Sequence, residues 1–147
     1  MEHRSLRRVK GWIGLAGTCL LIAVLVVPTL AQDGQPKIEI KKVAPYKPDG
    51  GTGIVGNISG TVSGIHADKC QCKVVLYAQT NMWYVQPYDT SADTDIDGKG
   101  NWTSQTHGGT TYAALLVKSS WKAPATLDKL PAVGGDVLAR ATKEGQH

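Results

Sequence analysis

Residues 73–87, KVVLYAQTNMWYVQP, constrain this chain more than any other stretch. Two short runs of β-branched and aromatic residues flank the turn-like pair Asn81-Met82, a pattern that predicts a hairpin. In the first run Val74, Leu76 and Ala78 share one face and Val75, Tyr77 and Gln79 the other; in the second, Trp83 and Val85 oppose Tyr84 and Gln86. Bulk on both faces predicts inner strands.

The remaining strands follow from the same period. TYAALLVK at 111–118 is the most apolar run outside the N-terminal segment, and eight residues between Gly108-Gly109 and Trp121 suit a central strand better than a helix. Around residues 56–64, Ile58 and Val62 are expected to point inward between glycines that permit close backbone approach or a bulge. Residues 102–106 alternate as a half-exposed strand, and 137–141 closes the sheet. No long helical period occurs after residue 31, and Gly- and Asn-rich turns separate the runs. The expected class is all-β, a single antiparallel two-sheet sandwich over residues 54–142. Residues 32–53 read as a linker with one candidate edge strand around Lys37-Ile38-Glu39-Ile40-Lys41, whose lysines discourage edge pairing. Residues 143–147 read as a disordered tail.

The first 31 residues have a secretory layout. Arg4, Arg7, Arg8 and Lys10 precede the apolar run from Trp12 to Val27, and Pro28 then breaks it before Thr29-Leu30-Ala31. A hydrophobic signal helix cleaved after Ala31 is the expectation. The alternative is an uncleaved anchor, since the uncharged span 11–31 has roughly the 20 apolar residues that cross a bilayer. Either way the rest of the chain is expected to be exported, secreted or periplasmic, with membrane contact only through residues 11–31 if they are retained.

That segment also explains the charge. The whole chain has 16 basic and 12 acidic side chains, but four of those bases and one acid, Glu2, lie before residue 32, which leaves 12 and 11. The basic balance belongs to the leader, so nucleic acid is not expected as a partner.

The order of Gly60-Thr61-Val62-Ser63-Gly64, Val74-Val75-Leu76-Tyr77, Trp83-Tyr84-Val85-Gln86-Pro87, Asp97-Gly98 with Trp102, Thr106-His107 and Tyr112 to Val117 resembles a family. It is similar to small immunoglobulin-like or prealbumin-like β-sandwich modules of bacterial secreted proteins, often appended to extracellular polysaccharide-degrading enzymes. The resemblance spans residues 54–141 and carries no catalytic motif. It implies a surface or polysaccharide-associated role, here for a module acting by itself or in trans.

Three constellations carry candidate chemistry. Sugar rings stack on flat aromatic faces, and strand alternation makes Tyr84, Tyr88 and Trp102 the exposed candidates, with Gln86 to bond hydroxyls and Trp83 in the core. Small sandwiches more often bury such side chains. Asp93, Asp95 and Asp97 followed by Gly98 open like a Ca2+ loop, with Asn101 able to add an oxygen. The closing position that normally carries a bidentate Glu is Ser104, however, and Lys99 lies inside, which favours a solvated acidic turn. Cys70 and Cys72 are expected to pair as a disulfide in an oxidising compartment, given a bend that brings their Cα atoms within range. The competing pattern is a soft-metal site with His66 and His107.

No Gly-x-Ser-x-Gly elbow or His-Glu-x-x-His motif occurs, so no enzyme is expected. The leading expectation is an exported, non-catalytic binding module for polysaccharide. A structural or adhesive module that recognises a cell-surface protein through a sheet edge comes next, and a metal-binding exported protein third.

Overall fold

A computed structural model describes residues 34–147. The signal segment and its cleavage point lie outside the described residues. Nine strands occur among those described: β1 (Lys37–Lys42), β2 (Gly56–Ser63), β3 (Cys72–Gln79), β4 (Trp83–Gln86), β5 (Asp93–Thr94), β6 (Asn101–Thr106), β7 (Thr111–Lys118), β8 (Thr126–Leu127) and β9 (Val137–Glu144). A single turn of 3-10 helix, Asp89–Ser91, links β4 to β5. The class is all-β, with two antiparallel sheets stacked as a sandwich.

The sheets are unequal. The small one runs β1-β2-β6; the large one runs β8-β4-β3-β7-β9, with β5 paired to β3 beyond the end of β4. The hairpin at 73–87 is present, with Leu76 opposite Gln86 and Gln79 opposite Trp83, and β7 lies along the whole other side of β3. β3 and β7 are therefore the central strands.

Both faces of the large sheet are buried, which accounts for the double-sided bulk of its strands. One core fills the space between the sheets. Ile38, Ile58, Val62 and Trp102 from the small sheet meet Val74, Leu76, Tyr112, Ala114 and Leu116 from the large one. The second core lies on the opposite face, where Val75, Tyr77, Val85, Ala113, Leu115 and Val117 are covered by Leu130 and by the partly buried Trp121, Ala123 and Leu127. The long segment between β7 and β9 is thus a lid on the second core. Tyr77 reaches through that layer, its hydroxyl donating to the Pro124 carbonyl at 2.9 Å, and burial raises its pKa.

Two boundaries move. The candidate edge strand around Lys37–Lys41 is present as β1, paired with β2 with a register shift between Ile40 and Lys42, and the segment after it is not a free linker, since Ala44 is buried. The polar sequence KIEIKK disguises the strand because only Ile38 and Ile40 face inward, while Glu39 sits between Lys37 and Lys41 at 2.6 Å from each. Those two ammonium groups hold the Glu39 carboxyl down at about 2. Residues 143–147 are not a disordered tail either. Glu144 ends β9, the Gly145 amide donates to Thr110, the Gln146 amide to Ala44, and His147 stacks on Tyr46 at 4.2 Å.

Candidate functional site

Register places the site. Paired residues on neighbouring strands point to the same side of a sheet, so Tyr84 and Gln86, opposite Ala78 and Leu76, belong to the face that carries the inter-sheet core. The three-stranded sheet does not cover this end of the larger one. Tyr84 is consequently 38% exposed, and a cleft of about 470 Å³ opens beside it. Its floor includes Ala78, Tyr84 and Gln86, and its sides come from Asp49 to Thr52, Pro87 to Asp89, and His107-Gly108.

Backbone and one buried tyrosine hold these walls. The Gly50 amide bonds to the Lys47 carbonyl and the Lys47 amide to Gly109, which ties the 47–52 loop to the 107–109 turn. Tyr112, fully buried on β7, donates its hydroxyl to the Pro45 carbonyl at 2.8 Å and accepts from the Gly109 amide at 3.0 Å. Burial raises its pKa, keeping the phenol protonated as the donor this bond requires. Gly108 is required by close approach, because a β-carbon there would press into the side chain of Lys47.

Gln86 is a strut rather than a ligand contact. It is 2% exposed, its Oε1 accepts from the His107 amide at 2.7 Å and from the Thr106 hydroxyl at 3.1 Å, and its Nε2 donates to the Tyr84 carbonyl. This corrects the expectation that Gln86 bonds a ligand at the surface. It fixes instead the position of His107, whose ring packs edge-on against Tyr88 with centroids 5.0 Å apart. His107 Nε2 is buried without a hydrogen-bond partner. Tyr88 is 50% exposed at the mouth.

Trp102 is likewise corrected. It is 2% exposed, lies in the inter-sheet core opposite Gly60, and its indole nitrogen is buried. The parity of β6 decides this: Trp102 and Thr106 face in while Thr103 and Gln105 face out. A sequence signal existed in Gly60, which shares the inward face of β2 with Ile58 and Val62 and leaves a slot for a large neighbour. Of the four residues expected to touch a ligand, Tyr84, Gln86 and Tyr88 line the cleft, Gln86 as a nearly buried part of its floor, and Trp102 does not. Asp49, Asp89 and His107 join them, and spacing alone could not have grouped residues so far apart in the chain.

The acidic loop does not converge. Asp93, Asp95 and Asp97 alternate on the exposed side of an extended segment, where alternate residues stand roughly 7 Å apart. Among the described residues no three His, Cys, Asp or Glu side chains form a metal-ligating group. Asp93 pairs with Lys73 at 2.8 Å. Both oxygens of Asp97 serve the turn, Oδ1 accepting from the amides of Lys99 and Asn101 and Oδ2 from the Asn101 side chain. Hydrogen bonding from Asn101, first its side chain and then its amide, holds the Asp97 carboxyl below its ordinary range. Cys70 and Cys72 form a disulfide with Cα atoms 5.2 Å apart, which leaves no thiolate for the alternative soft-metal site.

No family model, curated protein or solved structure matches the chain.

Proposed function

We propose that this domain is an exported, non-catalytic binding module that recognises polysaccharide in the cleft between Tyr84, Tyr88, His107 and the 49–52 loop. The observation that carries the reading is the pair of exposed tyrosines on a concave surface, where most other large apolar side chains among the described residues are buried. Concave, largely apolar clefts of this volume with a few placed polar groups are the usual form of small-ligand sites, and phenol rings offer an apolar face with a polar tip. The secretory layout of residues 1–31 and the resemblance to modules appended to polysaccharide-degrading enzymes point the same way. No helix among the described residues is long and apolar enough to cross a membrane, which leaves residues 11–31 as the segment to test for membrane attachment.

The competing reading, a partner strand added at the β1 edge, gains less support. Pairing there shifts between Ile40 and Lys42, and the Lys143 ammonium bonds the carbonyls of Ile40 and Lys41. Bulges and lysines are the devices by which edges are kept from pairing.

Co-sedimentation with insoluble polysaccharides, comparing wild type with Tyr84→Ala and Tyr88→Ala, tests the proposal. Each variant should lose about tenfold in affinity, the equivalent of roughly 1.4 kcal/mol, at an unchanged melting temperature. Equal retention of all three proteins, or retention of none, sinks the polysaccharide reading.

A further inference from the structure

The charge and hydrogen-bonding character of the cleft deepen this reading and rest on it: we infer that the cleft is selective for uncharged, hydroxyl-bearing glycans and rejects acidic ones, with His107 Nε2 as its inner anchor. Asp49 and Asp89 are the formally charged residues of the lining, and no lysine or arginine lines it among the described residues. Lys47 is not in the lining itself, but its ammonium lies beside Gly51 and its stem against Gly108, both of which are. A uronic carboxylate entering the cleft would meet two like charges in the lining against the ammonium of Lys47 beside Gly51, a balance that sets it at a disadvantage to a neutral sugar.

The orphan nitrogen narrows the chemistry further. His107 Nε2 is an acceptor in one tautomer and a donor in the other, and a sugar hydroxyl, which both donates and accepts, satisfies either. A carboxylate satisfies only the donor form. A buried polar atom without a partner is costly, so a ligand hydroxyl that reaches it recovers free energy that the unliganded domain lacks. That nitrogen is closed to solvent in the unliganded domain, and the Tyr88 ring packs edge-on against the imidazole; the proposed binding therefore includes a turn of Tyr88 away from His107 that opens Nε2 to the sugar. Thr52, Thr80 and Thr126 line the same cleft without adding charge.

The experiment is affinity electrophoresis of the full domain against a soluble uncharged β-glucan and against polygalacturonate, with wild type, Tyr88→Ala, His107→Ala and the pair Asp49→Asn with Asp89→Asn. Wild type should bind the glucan at least tenfold more tightly than the polyuronate. His107→Ala should weaken glucan binding about tenfold, and the double Asn variant should narrow the gap between the two polymers severalfold. The 15N shift of His107 Nε2 in the wild-type domain should move on titration with glucan oligomers, a readout that does not depend on any variant folding. Polygalacturonate bound as tightly as glucan, and released by Tyr88→Ala, overturns the selectivity while keeping the cleft as a glycan site. An unmoved Nε2 shift at saturating glucan removes His107 as the anchor. If Tyr88→Ala changes retention of neither polymer, the polysaccharide reading itself fails and the selectivity with it.

Discussion

Single side chains decide how this cleft is held. Tyr112 spans from the inter-sheet core to two loops, and its hydroxyl serves both Pro45 and Gly109. Tyr112→Phe keeps the packing but leaves a buried carbonyl and amide short of a partner, so denaturant unfolding should report a loss of about 1–3 kcal/mol. Glycan affinity should fall as well, because both loops belong to the cleft walls. Asp97 gives a pH signature. Its folded pKa lies below the ordinary value of 3.8, so its contribution is complete above that value and disappears as pH falls through the lower folded one. The melting temperature of wild type should exceed that of Asp97→Asn at about pH 5, and the difference should shrink towards about pH 2. A difference that stays constant over that range would refute the assignment. Glu39 titrates in the same sense, but it is common to both proteins and cancels in the comparison. The same scale shows what was legible in advance. The aromatic character of Tyr84, Tyr88 and Trp102 was plain in the sequence, and so was the alternation of β4. Which face of β6 turned inward was not, because TSQT carries no apolar residue to break the tie. The fate of Trp102 hung on that missing parity, and that of Gln86 on Thr106 and the His107 amide, which the end of β6 brings against it.

At the level of strands, Gly60 on β2 is hemmed in from both neighbours in the small sheet. A methyl group at Gly60 would collide with the Glu39 carbonyl on one side and the indole of Trp102 on the other. Gly60→Ala should therefore cost at least about 2 kcal/mol, measured by thermal or chemical unfolding. A neutral result would mean that the indole has room to retreat. The strands themselves were readable from period and composition, including the central place of 111–118 and the inward Ile58 and Val62. β1 was harder. Its two isoleucines look slight beside three lysines until the inter-sheet space is seen to need them, and a six-residue strand with a polar outer face differs little from a linker in composition. The C-terminal residues were read as frayed because they are polar, yet backbone bonds from Gly145 and Gln146, invisible to composition, hold them against residues 44–46.

For the molecule as a whole, the arrangement of layers predicts where it opens last. β3 and β7 have strand neighbours on both sides and buried faces above and below, so their amides should exchange with deuterium only through global unfolding. Amides of β1 and β8, at sheet edges, should exchange through smaller local openings. Exchange from β3 as fast as from β8 would contradict a shared central pair. Composition alone located this double burial, since the hairpin is bulky on both sides. It could not reveal that the second cover is the irregular segment after β7, because that segment has the prolines and glycines of an ordinary surface loop.

The mismatch in width between the two sheets has an evolutionary corollary. The ledge it leaves on β3 and β4 is anchored in the slowest-opening part of the molecule, whereas its rim is made of short connections carrying Asp49, Tyr88, Asp89 and His107. Residues on that rim can be exchanged without disturbing either interior, so, under the proposed function, one scaffold would be retargeted from one ligand to another by rewriting a few loop positions.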